Sequence, residues 1–156
     1  MSLARAFCGA ATIGNSMYVV GGRNGDGLSN PMPVSSVEAF TMQYGSGAWA
    51  TMTPSFFSQS DYSMAATATK LYTIGGITNN YSPNTTTGEF DPAKGTRGAW
   101  TCLPAPVISN VSAQSGRPAA TVGNAIYCLF SGGGNPATYA LAKYTLPILY
   151  YCFTKN

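Results

Sequence analysis

Histidine is absent from this 156-residue chain, and its absence limits the reactions that the chain can catalyse. Histidine is the commonest general base at neutral pH, so Ser-His-Asp and Cys-His catalysis are both excluded. Copper or zinc sites that depend on histidine ligands are also excluded, because the chain has no histidine to bind the metal. We therefore assign no catalytic residue, no metal ligand and no cofactor to the chain.

The carboxylates are the remaining candidates for acid–base chemistry, since a glycoside hydrolase needs two of them facing one substrate. The chain has five, which are Asp26, Glu38, Asp61, Glu89 and Asp91. Glu38 and Glu89 lie in strand-like segments just before a phenylalanine, and Asp91 lies in an Asp-Pro turn, where structural hydrogen bonds account for them. A histidine-free hydrolase stays open as an alternative, in which a two-fold axis pairs carboxylates from two copies of the chain.

Polar side chains suited to ligand binding are concentrated in two loops, residues 22–31 and 77–84; the first begins at the second glycine of a pair and the second directly after a pair. Both loops are long and rich in glycine or asparagine, and such loops often present binding residues from a rigid scaffold. The segment from Asn24 to Gly27 has the start of a calcium loop but lacks the later ligands and the closing glutamate. The candidate binding residues are Arg23, Asn24, Asp26, Asn79, Asn80 and Tyr81.

The elements that must position these loops occur three times. An Ala-Ala-Thr segment is followed, after a short gap, by a tyrosine in an apolar run, and the three tyrosines are Tyr18, Tyr72 and Tyr127. A repeat period of about 50 residues is typical of propeller blades. The repeats therefore predict a propeller, whose activity would be determined by its variable loops.

The first two repeats continue through the same series of features. A β-branched strand ends at a glycine pair, a second strand ends in a phenylalanine, and a third contains a tryptophan that is followed by a proline. The glycines allow a positive φ angle where the chain leaves a strand, and the aromatic side chains supply large buried area. The residues to which we assign these structural roles are Gly21, Gly22, Trp49, Gly75, Gly76 and Trp100.

This order of features resembles the kelch repeat over nearly the whole chain. The repeats fall at about residues 5–55, 56–105 and 106–153 of a single domain that covers residues 1–156. The third repeat is degenerate, because its glycines follow Tyr127 two residues later and no tryptophan follows Tyr144. The resemblance implies an all-β fold in which each repeat forms a four-stranded blade. The copper-radical oxidases among kelch-type propellers are excluded, since histidine holds part of their metal site.

Three blades make only half of a propeller, because closed propellers typically have four to eight. Alone, three blades would expose two large apolar faces, which soluble monomers rarely do. Either the chain is a piece of a longer protein, or a second copy completes a ring of six blades. We expect a homodimer with a two-fold axis.

Charge and cysteine content restrict the other partners. The net charge is only +3 and the basic residues are scattered, so we predict no nucleic-acid binding. No apolar run approaches the roughly 20 residues of a membrane span, so we predict no membrane association. The four cysteines lack Cys-x-x-Cys spacing and are expected to be free and buried, which favours the cytoplasm, although three glycosylation sequons leave secretion open. They are Cys8, Cys102, Cys128 and Cys152.

The function that these features favour is a non-enzymatic binding module of the kelch-propeller type. It would bind a protein or another ligand through the polar blade loops or the central channel. A carbohydrate-binding propeller is an alternative, in which Tyr62 or Tyr81 stacks on sugar rings and amide or carboxylate groups bind hydroxyls. The histidine-free hydrolase is the other alternative.

Overall fold

The computed structural model describes residues 1–24, 32–79, 82–84, 86–104, 118–132, 138–145 and 149–154. The regular structure within these residues is entirely β, as predicted, and no helix is present among them. In chain order the strands are β1 (Gly9–Ile13), β2 (Ser16–Val20), β3 (Arg23–Asn24), β4 (Met32–Pro33), β5 (Val37–Gln43), β6 (Ser46–Thr51), β7 (Gln59–Ser60), β8 (Ser63–Ala66), β9 (Leu71–Ile74), β10 (Ile77–Thr78), β11 (Thr86–Asp91), β12 (Ala99–Pro104), β13 (Ala119–Val122), β14 (Ala125–Gly132), β15 (Thr138–Thr145) and β16 (Leu149–Thr154).

Three antiparallel sheets of four strands carry the fold, and we number them blades 1 to 3. The strand order is β1-β2-β5-β6 in blade 1, β8-β9-β11-β12 in blade 2 and β13-β14-β15-β16 in blade 3. Two short ladders, β3 with β4 and β7 with β10, lie outside these sheets. The prediction of three four-stranded kelch-like blades is confirmed.

Neighbouring blades pack face to face, and the first strand of each blade is in contact with the first strand of the next. Small alanines lie on these inner strands and large aromatic rings lie on the outer ones, as the taper between blades requires. The core between blades 1 and 2 includes Tyr18, Val20, Val37, Leu71, Phe90 and Trp100. The core between blades 2 and 3 includes Ala65, Tyr72, Ile74, Ile126, Cys128 and Tyr144.

The strand register aligns the three repeats and shows that the Ala-Ala-Thr segment of the second repeat is offset from the other two. Ala11, Ala65 and Ala120 each pair with the tyrosine of their own repeat. The Ala-Ala-Thr segment of the second repeat is therefore displaced by one residue, so that Thr67 lies in the turn after β8. Its backbone N–H donates to the carbonyl of Lys70 at 2.8 Å, which closes that longer turn.

The second glycine of each pair occupies a position where a side chain would clash with neighbouring backbone. Gly22 and Gly76 have φ angles of 91° and 88°, in the left-handed region that favours glycine. A Cβ atom at Gly22 would lie 2.7 Å from the carbonyl oxygen of Ala6, and one at Gly76 would lie 2.6 Å from that of Ser60. Each pair thus lets the chain leave its strand in close contact with the segment that leads into the first strand of a blade.

The cysteines are free where the structure describes them, but they are not all buried as expected. Cys128 is fully buried, and burial raises the pKa of its thiol to about 12. Cys8 is half-buried, whereas Cys102 is exposed. Cys102 lies on β12, the outermost strand of blade 2, where nothing described covers it. The side chain of Cys152 lies outside the described residues.

Candidate functional site

The two glycine pairs lie at the same end of their blades, which we call the glycine-pair end (Gly21, Gly22, Gly75 and Gly76). The loops after β2 and β9 begin at this end, and the segments that lead into β1 and β8 arrive here. The opposite end, which we call the hairpin end, carries the turns that join β1 to β2 and β8 to β9. The described beginnings of both sequence-predicted binding loops are therefore on one side of the molecule.

Arg23, a predicted binding residue, lies at the junction of blades 1 and 2. Its Nε donates to Ser60 Oγ at 2.8 Å, and its terminal nitrogen donates to Asp61 Oδ2, also at 2.8 Å. The guanidinium carbon lies 5.6 Å from the centre of the Phe7 ring. Ser60 Oγ also donates to Asp61 Oδ2 at 2.7 Å. The guanidinium of Arg23 is therefore already held by an ion pair, a hydroxyl and an aromatic ring.

Phe7 and Asp61 have an unusual backbone conformation at equivalent positions before β1 and β8. Their φ angles are 54° and 55°, and the Asp61 N–H donates to the Phe7 carbonyl at 3.2 Å. Residues other than glycine rarely adopt this region, and such residues are concentrated at functional sites. Sequence reasoning missed both positions, since neither residue type signals a positive φ.

A buried polar network supports the loop of blade 2. The Asn84 side-chain nitrogen donates to Gln59 Oε1 at 2.6 Å, and Asn84 Oδ1 accepts from the N–H and the hydroxyl of Thr86 at 3.1 and 2.7 Å. Gln59 in turn accepts from the Gly22 N–H through its backbone carbonyl at 2.9 Å. The loops of both blades are thereby connected through Gln59.

A second ion pair lies beneath the loop of blade 1. Arg5 donates to Glu38 Oε2 at 2.7 Å and to the carbonyls of Gly21 and Ser36 at 3.1 and 2.9 Å, and its side chain is fully buried. Ser2 donates to Glu38 Oε1 through its backbone N–H at 2.6 Å and through its hydroxyl at 2.8 Å. Burial alone would raise the pKa of Glu38, but the hydrogen bonds from Ser2 and the charge of Arg5 outweigh it and hold the pKa below its usual value.

An open depression of about 360 Å³ at this end contains another predicted binding residue, Asn79. Its other lining residues are Phe56, Phe57, Ser58 and Thr78. The Phe56 ring is 59% exposed, and its centre lies 6.5 Å from that of Phe57 in an edge-to-face arrangement. The sequence signal for this pair was two consecutive aromatic residues in the segment that joins blade 1 to blade 2.

The remaining predicted positions have different outcomes. Asn24 is half-buried in the short strand β3, where it pairs with Met32. Asp26, Asn80 and Tyr81 lie outside the described residues. Arg23 and Asn79 lie at the same end of the blades, but in separate contacts.

Tyr62 does not provide an exposed ring for a sugar, contrary to the carbohydrate-binding expectation. Its ring is buried between blades 1 and 2, and burial raises the pKa of its hydroxyl well above the usual value. The hydroxyl donates to the Val20 carbonyl and accepts from the Gly9 N–H at 2.9 Å. Tyr62 therefore connects the two blades, because its hydroxyl binds the Gly9 N–H and the Val20 carbonyl, which belong to the paired residues at the open end of the β1–β2 hairpin.

An open depression of about 520 Å³, most of whose lining residues have polar side chains, lies towards the hairpin end, between blades 2 and 3. Lys70 donates to Glu89 Oε1 at 2.5 Å, and the Tyr72 hydroxyl donates to Glu89 Oε2 at 2.9 Å. The hydrogen bond that Lys70 donates to Glu89 raises the pKa of Lys70. Burial is the main cause that raises the pKa of Tyr72, and the hydrogen bond that Tyr72 itself donates to Glu89 adds to it. The three side chains satisfy one another, and sequence reasoning missed them as a group.

The described carboxylates do not form a catalytic pair within the chain. Glu38 and Glu89 each have their own cation, and the register places them on opposite faces of their blades. Asp61 is held by Arg23, and Asp91 Oδ1 accepts from the Ala93 N–H in a turn at 3.0 Å. Among the described residues, no three carboxylate or thiol side chains are grouped closely enough to hold a metal ion.

Four-stranded blades with touching inner strands, and glycine pairs at the ends of their second strands, define part of a kelch-type β-propeller. The kelch resemblance is confirmed, since the family model described as Kelch motif matches residues 4–54, which include blade 1. A solved structure titled "Structure of YjhT", a kelch-type propeller, is similar to this chain with a TM-score of 0.74 and 14% identity. The match covers 96% of this chain and 52% of that chain, so the chain spans about half the length of YjhT.

A search of the curated proteins finds no match to the chain. In the part of the chain that the structure describes, no helix is long and apolar enough to span a membrane.

Proposed function

We propose that this chain is a non-enzymatic binding module that engages its partner through the glycine-pair end. The observation that carries this proposal is the open depression beside Asn79, where an exposed aromatic ring lies next to amide and hydroxyl groups. The scaffold at this end is held together by the ion pair of Arg23 with Asp61 and by the hydrogen bond of Arg23 to Ser60, both of which connect blades 1 and 2. A polar loop surface on a rigid sheet is a common arrangement for recognition.

The state of the carboxylates supports binding over hydrolysis. A hydrolytic pair needs one protonated and one free carboxylate on the same substrate. Glu38, Asp61 and Glu89 are each neutralised by a basic side chain instead. A hydrolase would have to break these ion pairs before it could use the carboxylates.

Site-specific photo-crosslinking tests where the partner binds. We would place p-benzoylphenylalanine at Asn79 in one variant and at Tyr44, which is fully exposed in a turn at the hairpin end, in a second. We expect a discrete adduct with a cell extract from the Asn79 variant and none from the Tyr44 variant. Equal labelling from both ends, or no adduct from Asn79, would contradict the proposal.

Carbohydrate binding is a second candidate, and the exposed Phe56 ring favours it. Aromatic faces bind the apolar side of sugar rings, and the neighbouring Asn79, Ser58 and Thr78 supply hydrogen bonds for hydroxyls. We expect glycan-array binding to be lost in Phe56→Ala and in Asn79→Ala and to be kept in the control Tyr44→Ala. Absence of binding to any sugar at millimolar concentration would exclude this candidate.

We place the chain in the cytoplasm as part of the same proposal, because Cys8, Cys102 and Cys128 are free thiols. We further propose one domain over residues 1–156, without a nucleic-acid or membrane partner.

A further inference from the structure

Blade 1 exposes the sheet face that points away from blade 2. Register places Thr12, Met17, Phe40 and Trp49 in one row of this face, with Met42 beside them, and we call these five residues the leading face. Trp49 is 38% exposed and Met42 is 50% exposed. A depression of about 470 Å³ is lined by four of the five and is mostly apolar.

The same face is covered in blade 2. Its equivalent row is Ala66, Leu71, Phe90 and Trp100, of which Leu71 and Phe90 are completely buried. Blade 1 provides the cover, since the Tyr18 ring lies 5.9 Å from the Phe90 ring, centre to centre. The leading face of blade 1 therefore has the chemistry of a blade interface without the preceding blade.

Two hydrogen-bond donors on the leading face also lack the carbonyl acceptors that a preceding blade supplies in blades 2 and 3. In blade 2, Trp100 Nε1 donates to the Thr53 carbonyl of blade 1 at 2.9 Å. In blade 3, Thr121 Oγ1 donates to the Ala66 carbonyl of blade 2 at 2.6 Å. Trp49 and Thr12 occupy the equivalent positions of blade 1, and neither has an acceptor among the described residues.

Blade 3 exposes apolar side chains on its opposite face, which points away from blade 2. Register places Val122, Tyr127, Leu129, Leu141 and Lys143 on this face, which we call the trailing face. Val122 is 65% exposed and Leu141 is 44% exposed. In blades 1 and 2, the equivalent face covers the next blade. Exposed apolar faces of this kind mark interaction surfaces.

We infer that the leading face of one copy of this chain docks on the trailing face of a second copy, twice around a two-fold axis. Two copies contribute six blades, and the resulting ring repeats the blade contacts already present within the chain. The length of YjhT agrees with this, because one copy spans 52% of that propeller.

The register also specifies the hydrogen bonds of this contact. Thr53 is equivalent to Thr154, and Ala66 is equivalent to Thr121. Trp49 therefore donates to the carbonyl of Thr154 of the partner subunit, and Thr12 donates to the carbonyl of Thr121 of the partner subunit. A contact between two leading faces would leave these donors unsatisfied, since the acceptors are backbone carbonyls at the edge of a trailing face.

The test is the mass in solution, measured by light scattering over a wide range of concentrations. We expect a species of twice the 16.2 kDa chain mass. Trp49→Lys and Leu141→Glu should each raise the dissociation constant by about 100-fold, because each places a charge in the centre of an apolar contact. Phe56→Glu changes an exposed aromatic outside both faces and should leave the dimer intact. Circular dichroism would check that each variant is folded.

Mixing the variants distinguishes the proposed contact from other dimers. A ring formed from one Trp49→Lys chain and one Leu141→Glu chain retains one unaltered contact and pairs the two new charges in the other. The mixture should therefore recover dimer that neither variant forms alone. A folded wild-type monomer would overturn the inference and indicate that further blades of a longer chain cover these faces. Loss of the dimer in Trp49→Lys but not in Leu141→Glu would overturn it in favour of two leading faces in contact.

Discussion

Trp49 and Trp100 occupy the same place in consecutive repeats but have different surroundings. Each tryptophan pairs with a phenylalanine across its outer hairpin, and the ring centres lie 5.2 Å apart in blade 1 and 5.0 Å apart in blade 2. Trp100 is only 8% exposed, whereas Trp49 is 38% exposed. The local conformation of a blade is therefore set by its own repeat, and the burial of its aromatic residues is set by its neighbour.

Replacing each tryptophan by alanine gives the largest expected difference between the blades. Trp100→Ala should lower the free energy of unfolding by about 3–5 kcal/mol, because it leaves a cavity and removes the hydrogen bond to Thr53. Trp49→Ala should cost less than about 1 kcal/mol in the isolated chain. Urea denaturation at low protein concentration would measure both. Equal losses would mean that the leading face of blade 1 is already covered in the single chain.

Replacing two equivalent glycines by alanine should give a smaller difference in stability between blades 1 and 2. Gly47 and Gly98 lie beneath the phenylalanines of their blades, and a Cβ atom at either would lie 2.2 Å from a ring carbon. Phe90 cannot move because it is fully buried, and Gly98 has a φ angle of 74°, so Gly98→Ala should cost about 2 kcal/mol. The Phe40 ring has open space beside it, so Gly47→Ala should cost about half as much.

Thermal unfolding of the two glycine variants, again at low protein concentration, would measure this difference. A larger loss for Gly47→Ala would show that the Phe40 ring is held as firmly as Phe90.

The smallest expected effect is on the pH dependence of stability, and it arises from Glu38, in the part of blade 1 that the N-terminal segment covers. Glu38 has a pKa below its usual value, so its charge stabilises the folded chain above the ordinary glutamate range and this contribution is lost as the pH falls through the lowered pKa. Glu38→Gln lacks this titration and should lose less stability than wild type on acidification. The check is urea denaturation at neutral and at acid pH. Equal acid sensitivity in the two proteins would contradict the assignment.

The elements of the blades and the candidate residues Arg23 and Asn79 were predictable from local pattern, whereas the contacts of these residues were not. Tyr18, Tyr72 and the glycine pairs recur at fixed spacing, so they indicate strands and turns without knowledge of tertiary contacts. Arg23 and Asp61 are distant in sequence, and their ion pair depends on how blades 1 and 2 pack. The burial of Tyr62 and the exposure of Cys102 depend on that packing as well, which is why the sequence interpretation was wrong for both.

The bridge made by Tyr62 has a consequence for the order in which the chain folds during synthesis. Its hydroxyl completes the end of the first hairpin by binding Val20, which lies 42 residues earlier in the chain. The first hairpin leaves the ribosome well before Tyr62 does, and domains tend to fold as synthesis proceeds. Until Tyr62 has been translated, the Gly9 N–H and the Val20 carbonyl lack this partner, so the first hairpin can reach its full native hydrogen bonding only once the beginning of blade 2 is present.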